Sequence, residues 1–338
     1  MHLTVFQDDS AFNELKGEWN ALLRLSATHE IFLTWEWQST WWSIFRAGEL
    51  LVVAVRAEDG RLVGIAPWFV HHVGGERVLR TVGCVDVTDY VDLIVDQSVV
   101  KEVQEVLADF LQLNRSRYDR VNLCNIPESS PTAQTMPDQL RQRGFDADMI
   151  LQEVCPVIHL PSTWEEYLSM LDKKQRHEIR RKMRRAESEG NLQLTVVDTT
   201  MQPAPLDPVL IDEFLEMMRT SQPAKAEFLE DPANREFLRV ILDVTASAGW
   251  LRLTFLRSDG TLAAAYADFI YGAHVLVYNS GLNPNHAPHL SLGNVLLAYN
   301  IENAIESGIH VFNFLRGNET YKYRLGATDT RIYKLIAC

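Results

Sequence analysis

Two well-separated segments of the chain carry the same hairpin signal. Arg56 to Val70 reads RAEDGRLVGIAPWFV and Leu256 to Ile270 reads LRSDGTLAAAYADFI, each placing Asp-Gly-x-Leu between two apolar runs. Asp-Gly tolerates the positive φ of a tight turn, so each segment folds back as paired strands. The order of later elements recurs too. A strand at Arg120–Cys124 follows a helix at Val99–Leu113, and a strand at Val311–Phe314 follows a helix at Ser291–Ser307. Asp-Gly hairpins are common, so a few matching residues weigh little alone; the repeated order is what marks a duplicated α/β domain. At 338 residues with 46% apolar content, the chain has room for two such domains, each with its own core.

Other features narrow the class. The opening MHLTVFQDDS carries acids where a secretion signal has a basic region, and no apolar stretch reaches membrane-spanning length, so a cytoplasmic protein is expected. Cys84, Cys124, Cys155 and Cys338 show no CxxC spacing, which predicts unlinked thiols and neither a zinc site nor a disulfide framework. A net charge of −13 argues against DNA as a partner and makes any local basic patch conspicuous. Ser10–Ser26 has helical periodicity, and Leu50–Ala57 with Leu62–Val70 forms the first hairpin. Trp35, Trp37, Trp41 and Trp42 supply half of the eight tryptophans, read as packing anchors before ligand platforms. Asp86, Asp89 and Asp92 recur every third residue but lack the His or Glu of a recognisable metal set, so no metal is expected; loop capping is the plain reading.

Trp164 to Glu189 reads as one long helix, capped at Ser162 or Thr163, with Glu165 and Glu166 in its first turn, and stopped by Gly190. Its centre, KKQRHEIRRKMRR, holds eight Lys and Arg in thirteen residues with one acid, while Ile179, Met183 and Ala186 keep an apolar stripe for docking. Such a face is either simply solvated or meets a polyanion that relieves its self-repulsion. In the second half, three strands are expected within Leu251–Ser280. Asp268 stands inside an apolar run, where a carboxylate needs a partner or a task. The loop NPNHAPHLSLG then leads into the helix from Ser291, where Ser291 can cap and Gly293 admits close backbone approach.

The run HVFNFLRGNETYKYRLGA, His310 to Ala327, drives a short apolar strand straight into Arg316, Glu319, Lys322 and Arg324, between Gly317 and Gly326. Either an Arg–Glu–Lys network braces a loop or the charges face a polar ligand. If Tyr321–Arg324 is extended, Lys322 and Arg324 share one face and the tyrosines the other.

This run resembles the signature of the CelD-like acetyltransferases of bacterial polysaccharide gene clusters, close to FDFLRGDEPYKYRWGA, which belong with the Fem-type transferases. Arg316, Gly317, Glu319, Tyr321, Lys322, Tyr323, Arg324 and Gly326 match; Asn313, Asn318, Thr320 and Leu325 depart. The likeness extends to the basic helix at Lys174, Arg176, Arg180, Arg181 and Arg184. It implies tandem GNAT-like (acyl-CoA N-acyltransferase) domains, residues 1–160 and 161–338, the second opening with the basic helix at 162–189. It further implies that Asp89, Tyr90 and Asp92 border an acceptor cleft, and that a donor pyrophosphate sits near Ser291, Gly293 and Asn294. The Arg/Gln-x-x-Gly-x-Gly/Ala phosphate loop usual in GNAT folds is absent there.

The expected activity is transfer of an acyl group from acyl-CoA, a co-substrate and not a tightly bound cofactor, to an amine or hydroxyl of a cell-envelope or polysaccharide precursor. The acceptor would be a small molecule or a lipid- or nucleotide-linked sugar. Direct attack needs a base, oxyanion donors and an acid. Asp268 or Glu319 is the candidate base, Lys322 and Arg316 stabilise charge, and Tyr278 or Tyr321 protonates the leaving group. Aminoacyl transfer from tRNA is the second reading, and noncatalytic binding of an anionic ligand the third.

Overall fold

The computed structural model describes residues 1–84 and 87–338, so Asp86 of the acidic triplet lies outside the described residues. The chain divides into two compact units, residues 1–154 with 330–338 and residues 155–329. The first contains β1 (His2–Phe6), α1 (Ser10–Leu23), α2 (Trp35–Phe45), β2 (Glu49–Arg56), β3 (Leu62–Val73), β4 (Glu76–Thr81), β5 (Ile94–Val95), α3 (Val100–Leu113), β6 (Arg120–Pro127), α4 (Pro131–Gln142) and most of β7 (Ala147–His159). The second runs from the end of β7 through α5 (Trp164–Met170), α6 (Lys173–Glu189), β8 (Leu192–Asp198), α7 (Pro208–Ser221), α8 (Pro223–Glu230), α9 (Pro232–Ser247), β9 (Leu251–Ser258), β10 (Thr261–Tyr271), β11 (His274–Leu282), α10 (Leu292–Glu306), β12 (Val311–Asn313) and α11 (Thr320–Arg324). The last strand, β13 (Thr328–Ala337), pairs with β6 in the first unit.

Each unit is a mixed sheet flanked by helices, in the repeated order that the hairpins suggest. Strand order is β1-β2-β3-β4-β6-β13-β7 in the first, with β5 on β3, and β7-β12-β11-β10-β9-β8 in the second. A hairpin (β2–β3, β9–β10) is followed by an antiparallel strand (β4, β11), a helical crossover (α3, α10) and a parallel partner (β6, β12). A parallel pair needs such a crossover, and the helix buries its apolar face on the sheet. In the second hairpin Asp259 and Gly260 both have positive φ, 49° and 74°, the geometry of a two-residue turn that matches strand twist. Trp68, Leu107 and Leu335 lie in the first core; Tyr167, Leu296 and Phe312 lie in the second. Trp37 and Trp41 are fully buried, as packing anchors should be.

Three expectations are corrected. The basic helix is two: Leu171 is extended (φ −77°, ψ 151°), and the Asp172 carboxylate caps a new helix by accepting the Gln175 N–H. A local cap outcompetes continuation here because a helix start leaves N–H groups to satisfy. Tyr321–Arg324 is helical, not extended, so its side chains do not alternate between two faces. Cys84 and Cys124 are joined as a disulfide. Parallel pairing of β4 with β6 brings the disulfide partners together, a tertiary effect that spacing along the chain does not display.

Glycine positions give a stability test. A Cβ on Gly281 of β11 would lie 2.5 Å from the Met217 carbonyl carbon and 2.6 Å from the Met218 nitrogen, so α7 approaches the strand through that gap. Gly17, exposed within α1, has open space at its Cβ position. Gly281→Ala is expected to cost about 1–3 kcal/mol and Gly17→Ala to add about 0.5–1 kcal/mol, read from urea midpoints. Equal effects would contradict the close approach of α7.

Candidate active site in the second unit

β12 pairs with β11 over only three residues, His274–Leu276 with Val311–Asn313. The chain then turns away, through Leu315 and Gly317 at φ 57° and 105°. The Lys322 ammonium holds the turn. It donates to the carbonyls of Arg316 at 2.8 Å, Gly317 at 2.9 Å and Leu315 at 3.4 Å, and meets the Glu319 carboxylate at 2.9 Å. Its side chain is 3% exposed against 58% for Glu319. Lys322 is therefore a brace whose donors are occupied, with Glu319 on the solvent side. Gly317 suits the turn through its φ of 105°, a backbone conformation that L side chains rarely adopt.

β10 bulges between Ala267 and Asp268, so that Ala267 faces Asn279, Asp268 faces Val277, and Tyr278 has no opposite number. Asp268 is 1% exposed; Asn300 Nδ2 donates to its Oδ2 at 3.1 Å, and its Oδ1 has no hydrogen-bond partner. Burial raises its carboxyl to about 7, against the field of Arg252 and the Asn300 bond. Tyr266, two residues earlier on the same face, donates to the Gly293 carbonyl at 3.4 Å. Burial raises the phenols of Tyr266 and Tyr321, and the Asp268 charge adds to both shifts. Tyr278 instead packs on Phe269, with ring centroids 4.8 Å apart, on the face away from Asp268.

Between α6, the first turns of α10 and α11 lies a cavity of about 350 Å³. Ile179, Met183, Val295, Ala298 and Leu325 form its apolar part; Lys174, Lys182, Arg324, Asn294, Glu178 and Tyr321 supply its polar part. The start of α10 adds the positive end of a helix dipole. Ser291 does not cap with its side chain; its own backbone is left-handed (φ 53°) and its carbonyl accepts from Asn294 and Val295. Gly293 serves packing, since a Cβ would strike Leu282 Cδ2 at 2.5 Å.

The structure thus gathers Lys174, Asn294, Tyr321 and Arg324 around one cavity, with Glu319 and Lys322 on the adjoining turn. Arg176, Arg180, Arg181 and Arg184 do not line it: Arg180 binds Glu165, Arg181 binds Glu178 at 2.8 Å, and Arg184 Nε donates to the Arg180 carbonyl. Arg316 enters through its backbone, as a carbonyl on Lys322. Asp89, Tyr90 and Asp92 are buried in the first unit. There the Asp92 carboxylate accepts from Thr28 at 2.6 Å, from Ser130 and from the Leu93 N–H, and burial raises its carboxyl. Sequence reading missed Lys182, hidden within the charge run.

Residues 173–323 match the acetyltransferase (GNAT) domain family. The fold is a tandem GNAT-like one, and the second unit carries a GNAT acetyltransferase domain. Among solved structures it is similar to FemX (TM-score 0.67, 11% identity, 99% of this chain and 97% of that one). It is also similar to the C-terminal domain of a putative lysylphosphatidylglycerol synthetase from Agrobacterium fabrum (0.57, 13%, 96% and 92%) and to a tandem GNAT protein of the clavulanic acid pathway (0.52, 14%, 99% and 98%). No curated protein matches the sequence.

Two outcomes check the site's physics. Lys322→Met is expected to cost about 2–4 kcal/mol by stranding the partly buried carbonyls of the turn, whereas Glu319→Gln, removing a mostly solvated charge, costs under about 1 kcal/mol. Chemical denaturation of both variants decides it; equal losses would contradict the brace. For Asp268, a folded-state value near 7 against an ordinary 3.8 means the folded chain keeps a proton that the unfolded chain releases. Its contribution to stability therefore falls as pH rises from about 4 to about 7 and then levels off. Asp268→Asn should remove that slope and melt higher than the parent at pH 8; an unchanged slope in melting temperature would refute the assignment.

Proposed function

We propose that the second unit transfers an acyl group from a coenzyme A thioester to an amine or hydroxyl of a cell-envelope or polysaccharide precursor. The observation that carries this reading is the cavity at the start of α10, where Lys174, Lys182 and Arg324 surround an apolar floor near the positive end of the helix dipole. Phosphates suit the cations and the helix start, and an amide-bearing arm can add to the part of β11 that β12 leaves uncovered. Glu319 acts as the base toward the acceptor, being solvent-facing and beside the turn. Tyr321, kept protonated by its surroundings, donates to the departing thiolate. Lys322 positions both by fixing the turn, and Asp268 tunes the phenols. The acceptor class rests on the resemblance of His310–Ala327 to the CelD-like signature.

Aminoacyl transfer from tRNA is a second reading for the same cavity. It is favoured by the loop ahead of α10, which lacks the usual coenzyme A phosphate pattern and holds Ala287 and Ser291 in left-handed backbone.

Calorimetric titration with acetyl-CoA and with 3′-aminoacyl adenosine separates the two. Acetyl-CoA is expected to bind, and Lys174→Gln, Lys182→Gln and Arg324→Gln together should weaken it about a hundredfold and flatten its salt dependence. Arg180→Gln with Arg181→Gln, already paired with acids, should change affinity by less than about threefold. Tight binding that ignores the cavity triple would overturn the site, and binding of the aminoacyl adenosine alone would favour the second reading.

A further inference from the structure

We propose that Lys225 is a self-acylation site, an amine of the enzyme that accepts the acyl group from the bound thioester. The inference rests on the coenzyme A reading above. It starts from Gly281, whose missing Cβ lets α7 lie against β11. Gln222 is extended (φ −155°) and Pro223 opens α8, so the chain turns directly from α7 into the short helix that carries Lys225. The Lys225 ammonium then reaches the Ser280 carbonyl and lies 3.5 Å from the Ser280 hydroxyl. Ser280 belongs to the part of β11 beyond Leu276, past the last residue paired with β12. No other described lysine is seen to donate to β11 there, and the proposed transfer does not require an amine at that place.

The surroundings make this amine reactive. Burial lowers Lys225 to about 8, against the raising field of Glu319. The helices packed on α8 bring charges that are otherwise engaged: Arg219 of α7 is paired with Glu216, and Arg235 of α9 donates to the Leu229 carbonyl. At pH 8 an ordinary lysine is almost wholly protonated, so Lys225 carries about a hundredfold more of the nucleophilic neutral form.

In the reaction, the ammonium first releases a proton to solvent. The neutral Nζ attacks the thioester carbonyl carbon, a C–N bond forms and the C–S bond breaks. The sulfur leaves with the electron pair and takes the second Nζ proton through Glu319, giving an amide and free thiol. The product amide has no charge and leaves an acyl group on the strand edge, so the modification is expected to stop at one per chain and to slow turnover.

The test incubates the full chain with acetyl-CoA at pH 8 and follows acetylation by mass spectrometry of peptides. Lys225 is expected to be labelled at least about tenfold faster than Lys101, whose side chain is 78% exposed, and its rate should rise through pH 8. Heat-unfolded protein should lose that preference. Lys225→Arg keeps the cation on Ser280 and should show no equivalent label; Lys225→Gln checks that the loss is not peculiar to arginine. Acetyl-CoA that binds by calorimetry yet labels Lys225 no faster than Lys101 overturns this inference and leaves the donor reading intact. Failure of acetyl-CoA to bind at all overturns both.

Discussion

The grip of one buried ammonium on the carbonyls of Leu315, Arg316 and Gly317 decides where β12 stops following β11. A lysine so deeply placed is tolerable because each of its protons has an acceptor; without them its desolvation would be prohibitive. Once the turn is fixed, the rest follows from chain geometry. Glu319 is delivered to the solvent side, the short helix α11 starts immediately, and Tyr321 and Arg324 project from it toward α6 and α10. The uncovered part of β11 is the complement of the same event.

Charge is distributed to match. The chain as a whole carries −13, yet the second unit concentrates cations on α6 and pairs several of them with Glu165, Glu178 and Glu189. Directed at the cavity are Lys174, Arg324 and Lys182, the last also 3.7 Å from the Glu178 carboxylate. Exposed pairs of this kind contribute little to stability, so their value lies in holding side chains away from or toward the cavity. Beneath, Asp268 is buried with one oxygen unpartnered, an arrangement that a core selected for stability alone would replace.

Much of the fold was legible. The repeated Asp-Gly hairpin and strand–helix order revealed the duplicated α/β fold, because periodicity and turn chemistry are local properties. The break at Leu171–Asp172 was missed because an internal cap leaves the charge run uninterrupted. The alternation of aromatic and basic residues in Tyr321–Arg324 would fit a period of two, while the turn held by Lys322 leads into a helix. Lys322, Glu319, Tyr321 and Arg324 were picked from their unusual place after a strand, but which of them braces and which faces the cavity depends on burial, a tertiary property. Lys225 and Ser280 are joined only by the approach of α7 at Gly281, and the Cys84–Cys124 pair only by strand pairing; no linear spacing encodes either.

The central claim, a thioester donor lying along β11 with its phosphates at the start of α10, is tested most directly by amide hydrogen exchange with and without acetyl-CoA. Slower exchange concentrated in residues 277–282 and 291–295 is the predicted result, because those backbone groups would be covered by the bound donor. Exchange unchanged in both segments while acetyl-CoA is bound would contradict the account.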